Sequence, residues 1–105
     1  MASNITNIKK LQQAINLKGY KILYNTSQFY SQKEDRPVTI YHVKQAIWDE
    51  DKGKYDTVEL FKSTSQLQIL LFLRDYWYEI NGKEVPTDNE DWNKAKEEYF
   101  KKNNI

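Results

Sequence analysis

The 105-residue chain contains no cysteine. A disulfide framework, thiolate catalysis and cysteine-ligated zinc are therefore excluded, and a reducing cytoplasm is the expected compartment. Glycine occurs three times and proline twice. Gly19, Gly53 and Gly82 stand too far apart to build a phosphate-cradling loop or a dinucleotide fingerprint, so no nucleotide cofactor is expected. The longest apolar run, Ile69 to Leu73, falls well short of the roughly 20 residues of a membrane span. Met1 to Asn7 has neither the basic nor the apolar region of a secretory leader. Charge of one sign is also missing: 16 basic and 15 acidic residues leave a net charge of +1, which is not the global footprint of a nucleic-acid binder.

Aromatics are abundant, with three Trp, eight Tyr and four Phe. Each buries on the order of 150–250 Å², enough for one compact core in a chain of this length. Residues 1–105 are expected to form a single domain. Frequent Lys, Asn, Ile and Tyr with rare Gly and Pro is a usage common in AT-rich bacterial genomes and their phages; a phage or mobile-element origin is the matching expectation.

The apolar pattern changes period along the chain. Ile5, Ile8, Leu11 (or Gln12) and Ile15 recur at helical spacing, with Leu17 adding to the stripe, Ser3 or Asn4 to cap the start and Gly19 to end the segment. Lys9, Lys10, Gln13 and Asn16 fall largely on the other side. From Tyr20 the alternation suits a strand, which Thr26 to Tyr30 either continue or interrupt with a bulge. A second strand runs from about Val38 to Trp48, with Val38, Ile40, His42, Lys44, Ala46 and Trp48 on one face and Thr39, Tyr41, Val43, Gln45 and Ile47 on the other. Both faces are partly apolar, so the pattern leaves open which one meets the core. Asp49 to Gly53 reads as a hairpin loop, and Lys54 to Lys62 as a third strand. Ser63 and Gln66 have capping-box spacing ahead of a helix apolar nearly all round, ended by Asn81-Gly82. Thr87 and Glu90 repeat that spacing before a last helix striped by Trp92, Ala95 and Tyr99, with Lys101 and Lys102 near its end. The expected fold is α+β: a three-stranded antiparallel meander with helices packed on it, in the order α-β-β-β-α-α.

The order α-β-β-β-α over residues 1–80 resembles that of double-stranded-RNA-binding domains and of the small HicA-type toxins. The toxins' Gly-Ser-His strand motif has no counterpart, the equivalent stretch being Asn25-Thr26-Ser27-Gln28-Phe29. No basic helix start occurs around Ser63 to Gln68, and neither family is assigned.

Candidate chemistry is sparse. His42 is the sole histidine and the natural general base of a small nuclease, but no Ser, Cys or carboxylate has a sequence relation to it that marks a dyad. Asp49, Glu50 and Asp51 lack the alternating oxygen ligands of a calcium loop and read as a hairpin tip. Asp88, Glu90 and Asp91 suit a helix N-terminus, and Asp75 with Glu79 an exposed helix face. No catalytic residue, metal ligand or cofactor is assigned. The expected function is a small non-enzymatic binding or accessory protein, monomeric or homodimeric, acting on another protein through Tyr41, Trp48, Tyr78 and Trp92, since exposed Trp and Tyr dominate protein interfaces. The alternative is nucleic-acid binding through Lys10, Lys18, Lys21, Tyr24 and Tyr30, lysines holding phosphate while aromatics stack bases.

Overall fold

The structure, a computed structural model, describes residues 4–103. Helix α1 (Asn4–Asn16) is followed by strands β1 (Ile22–Ser31), β2 (Arg36–Asp49) and β3 (Lys54–Ser63), then by α2 (Gln66–Ile80) and α3 (Glu90–Asn103). The strands form one antiparallel sheet in the order β1-β2-β3, so the α+β meander and the element order expected from the pattern are what the chain adopts.

The ambiguous faces of the sheet are resolved by packing. Tyr24 pairs with Val43 and Val43 with Phe61, and Val43 and Phe61 are buried under the helices with Ile22. The alternating set on β2, His42, Lys44, Ala46 and Trp48, turns to the other side, here called the outer face. The core adds Ile8 and Ile15, two turns apart on α1, four residues of α2, and Trp92 of α3. Phe61 lies at its aromatic centre. Its ring stacks on Phe72 at 4.9 Å and meets Trp92 and Tyr99 edge-on at 5.5 and 4.7 Å.

Strand β1 pairs without interruption, so the expected alternative of a bulge between Thr26 and Tyr30 is not used. The bulge occurs on β3: Val43 faces Phe61 but Lys44 faces Glu59, leaving Leu60 without a partner.

Asn16 was expected on the polar side of α1 but turns toward the sheet. Its Oδ1 accepts from the Ile22 N–H at 2.8 Å and its Nδ2 donates to the Ile22 carbonyl at 3.2 Å, while Gln12 donates to that carbonyl at 2.7 Å. The amide of Asn16 thus stands in for a strand neighbour at the start of β1.

Two helix starts differ from their sequence expectation. Ser63 still belongs to β3, opposite Tyr41, so the cap of α2 passes to Ser65, whose Oγ accepts from the Gln68 N–H at 3.3 Å. Asn89, not Thr87, caps α3, accepting from the Trp92 N–H at 2.9 Å. The candidate cap Ser3 lies outside the described residues. The end of α2 is as expected: Gly82 takes φ 68°, the Gly82 N–H donates to the Glu79 carbonyl and the Lys83 N–H to that of Tyr78, a Schellman closure.

One charge enters the interior. Asp75, read from the sequence as an exposed helix residue, is 4 % exposed. Its Oδ2 accepts from the Trp92 indole at 2.8 Å and from Lys96 at 2.9 Å, and its Oδ1 accepts from both Nε and Nη2 of Arg74. Among the described residues no buried side-chain polar atom lacks a partner.

Two predictions follow from this packing. Asp75→Ala leaves a buried indole N–H and the Lys96 ammonium without their acceptor and is expected to destabilise by about 3–5 kcal/mol; the urea midpoint, with an unchanged slope, measures this. Tyr24, Tyr76 and Tyr99 are held above the usual 10.0, chiefly by burial and secondarily by Tyr41, by Tyr20 and Glu79, and by Glu59 respectively. A raised phenol pKa means that the unfolded chain loses its proton first. The stability contributed is therefore intact below 10.0 and falls as pH rises from there through the folded values. A urea midpoint that stays level past that pH in the wild type would contradict this.

Candidate functional site

The residues singled out from the sequence do not share one surface. Trp92 is 2 % exposed and is a core residue, with its indole N–H committed to Asp75. Tyr41 is half-buried on the helix side of the sheet, stacked on Tyr24 at 6.3 Å, and its hydroxyl accepts from Gln66. Trp48 is 51 % exposed on the outer face, edge-on to its cross-strand partner Tyr55 at 5.0 Å. Tyr78 lies on α2, away from both.

The nucleic-acid set is equally dispersed. Tyr24 faces the helices, and burial, with the neighbouring Tyr41, raises its pKa above the usual 10.0. Tyr30 is bonded to Asp35 in the β1–β2 turn, which raises its pKa. Lys21 donates to the Tyr55 hydroxyl at 2.5 Å and lies 4.0 Å above its ring, on the outer face. Lys18 is exposed in the turn after α1, and Lys10 projects from α1.

Two members of the separate sets do come together. Lys10 and Tyr78 both line a groove of about 580 Å³ between α1 and α2. Leu11 and Ala14 of α1 face Leu70, Leu71 and Trp77 of α2 across it, with Lys10 and Arg74 the charged residues of the lining. No carboxylate of the described residues contributes to the lining. The adjacent aromatics Tyr76, Trp77 and Tyr78 are divided by the helical twist: Tyr76 meets Tyr20 edge-on at 5.8 Å and packs on the core, Trp77 both packs on the core and lines the groove, and Tyr78 turns to the groove.

The outer face carries a second arrangement. Ser27, His42 and Glu59 come from three neighbouring strands. The Ser27 Oγ lies 2.7 Å from His42 Nε2, and His42 Nδ1 lies 2.5 Å from Glu59 Oε1. Ser27 and Glu59 are absent from the sequence expectations, because strands separated by hairpins leave no fixed spacing by which to find such partners. The alternation places His42 on one face of β2, but neither the register that puts Ser27 on that face nor the bulge that brings up Glu59 has a sequence mark. Among the described residues no cluster of three or more His, Asp or Glu side chains is placed to hold a metal ion, and no helix is long and apolar enough to cross a membrane.

The burial contrast between the tryptophans gives a direct test. Trp48→Ala is expected to cost about 1 kcal/mol or less, the worth of an exposed aromatic pair. Trp92→Ala is expected to cost about 3–5 kcal/mol. Equal losses in thermal or urea unfolding would refute the assignment of the two faces.

Compared with known proteins, the chain matches no family model, no curated protein and no solved structure.

Proposed function

We propose that this protein is a binding domain whose α1–α2 groove receives an acidic amphipathic helix of a partner protein. The observation that carries this reading is the composition of the groove: an apolar floor with cations and no anions in its lining. Ala14 supplies the small side chain that keeps the groove open on the α1 side, and Leu11, Leu70 and Trp77 supply surface for apolar anchors. Helix-in-groove recognition uses this combination, apolar residues at helical spacing entering the groove while charges on the same helix meet the rim. Arg74 already bonds Asp75 and Asp88, so Lys10 is the cation with more charge to offer. Trp and Tyr are enriched where such interfaces are tightest, and Trp77 and Tyr78 take that place here. Nucleic-acid binding draws less support, since the lysines and aromatics it needs face different sides of the molecule.

The test uses two designed helical peptides with the same leucine stripe, one with glutamate and one with lysine at the remaining positions. The acidic peptide is expected to bind, with amide shifts confined to α1 and α2, and with affinity that weakens as salt screens Lys10. Lys10→Glu and Ala14→Glu are each expected to weaken it at least about tenfold, or 1.4 kcal/mol. Equal binding of the lysine peptide, or shifts elsewhere in the fold, would overturn the proposal.

A further inference from the structure

We propose that Ser27, His42 and Glu59 form a nucleophilic site that accepts an acyl group from small apolar esters. The site lies on the outer face of the sheet and is independent of the groove. Its hydrogen bonds run in the order that activates a hydroxyl. Glu59 is an acceptor, so His42 Nδ1–H donates to it, and in that tautomer Nε2 is the acceptor for the Ser27 hydroxyl. Nucleophile, base and orienting carboxylate are thus joined at 2.7 and 2.5 Å, the relation by which such triads are recognised irrespective of fold.

The backbone is arranged to supply the third member. In unbroken pairing Lys44 would face Leu60, and Glu59 would turn to the helix side. The bulge on β3 leaves Leu60 unpaired and sets Glu59 opposite Lys44, on the face of His42. Bulges recur beside active sites because they re-aim a side chain in this way. The imidazole is half-buried within the face while Ser27 is exposed, so the base is held in place and the nucleophile is open to substrate.

The surroundings specify the substrate class. Ile40 is the cross-strand partner of Ser27, and Phe29 follows two residues along the same face, 46 % exposed. Together they offer an apolar strip for a short acyl chain. Asn25 is the cross-strand partner of His42 and stands two residues before Ser27 on the same face, the nearest side-chain amide for the charge that develops on the carbonyl oxygen. Ser27 Oγ bonds to the carbonyl carbon as its proton moves to His42 Nε2. The bond from that carbon to the leaving oxygen then breaks, and Nε2 returns the proton to that oxygen. Water, deprotonated by the same nitrogen, then bonds to the acyl carbon, the bond from that carbon to Ser27 Oγ breaks, and Nε2 returns the proton to Oγ, releasing the acid and restoring Ser27.

The full chain is treated with p-nitrophenyl butyrate, and the product is examined by nitrophenolate release and peptide mapping. The expected result is a burst of nitrophenolate and, after acid quenching before water clears the ester, one butyryl group on Ser27. Acylation at that position is expected to fall at least about 100-fold in His42→Gln and Glu59→Gln, to be lost in Ser27→Ala, and to be unchanged in Ser31→Ala, which removes another hydroxyl from the same strand. Each variant is checked for fold by circular dichroism. A folded wild-type chain that is acylated only at lysines or tyrosines, or a rate on Ser27 unaffected by His42→Gln, would overturn the proposal.

Discussion

Asp75 brings a negative charge into the interior, where an unpaired carboxylate would cost several kcal/mol. Its two oxygens are instead divided between elements. One holds the Arg74 guanidinium on α2, and the other holds the Trp92 indole and the Lys96 ammonium of α3. Trp92 is directed by that bond onto Phe61, and Tyr99, two turns further along α3, closes the same ring from another side. The attachment of α3 and the cover over β3 therefore depend on one acceptor. Apolar contact alone would allow α3 to slide or rotate on the sheet, because burial is not directional; the indole hydrogen bond fixes its register.

At the start of β1 Asn16 performs the corresponding service with an uncharged amide. It bonds both backbone groups of Ile22 and so ties the end of α1 to the beginning of β1. With α1 anchored there and α2 buried beside it, the separation between these helices is set by the side chains facing one another across the groove. Large residues on α2 and the small Ala14 on α1 leave that interface incompletely filled. The groove is thus a consequence of side-chain size at a fixed helix spacing. The outer face has a different origin: three helices can cover one side of a three-stranded sheet, and the other side stays open.

Much of the architecture was legible because periodicity is local. The spacing of Ile8 and Ile15, the alternation through β2, the glycine at 53 and the Asn81-Gly82 ending all declare their elements within a few residues. The failures were cases in which two local readings competed. Ser63 and Ser65 both offer a cap, and the pairing of β3 with Tyr41 decides between them. Asp75 has the sequence neighbours of an exposed helix residue, and only the arrival of Trp92 and Lys96 from 17 and 21 residues away accounts for its burial. Trp48 and Trp92 are the same residue type, and no local pattern tells that one is a surface residue and the other a core residue.

Composition and local periodicity set the kind of molecule: an α+β meander with helices in a known order, an aromatic core, and no cysteine or glycine-rich loop on which thiolate or nucleotide chemistry could be built. These follow from composition and from periods of two and 3.6 residues, which need no partner to be read. Packing sets which face of the sheet is covered, that Lys10 and Tyr78 line one groove, and that Ser27, His42 and Glu59 meet across three strands. Each of those juxtapositions joins residues whose separation along the chain is set by hairpins and bulges, and register, which moves a side chain to the opposite face with a shift of one residue, is fixed only when the whole sheet packs against its helices.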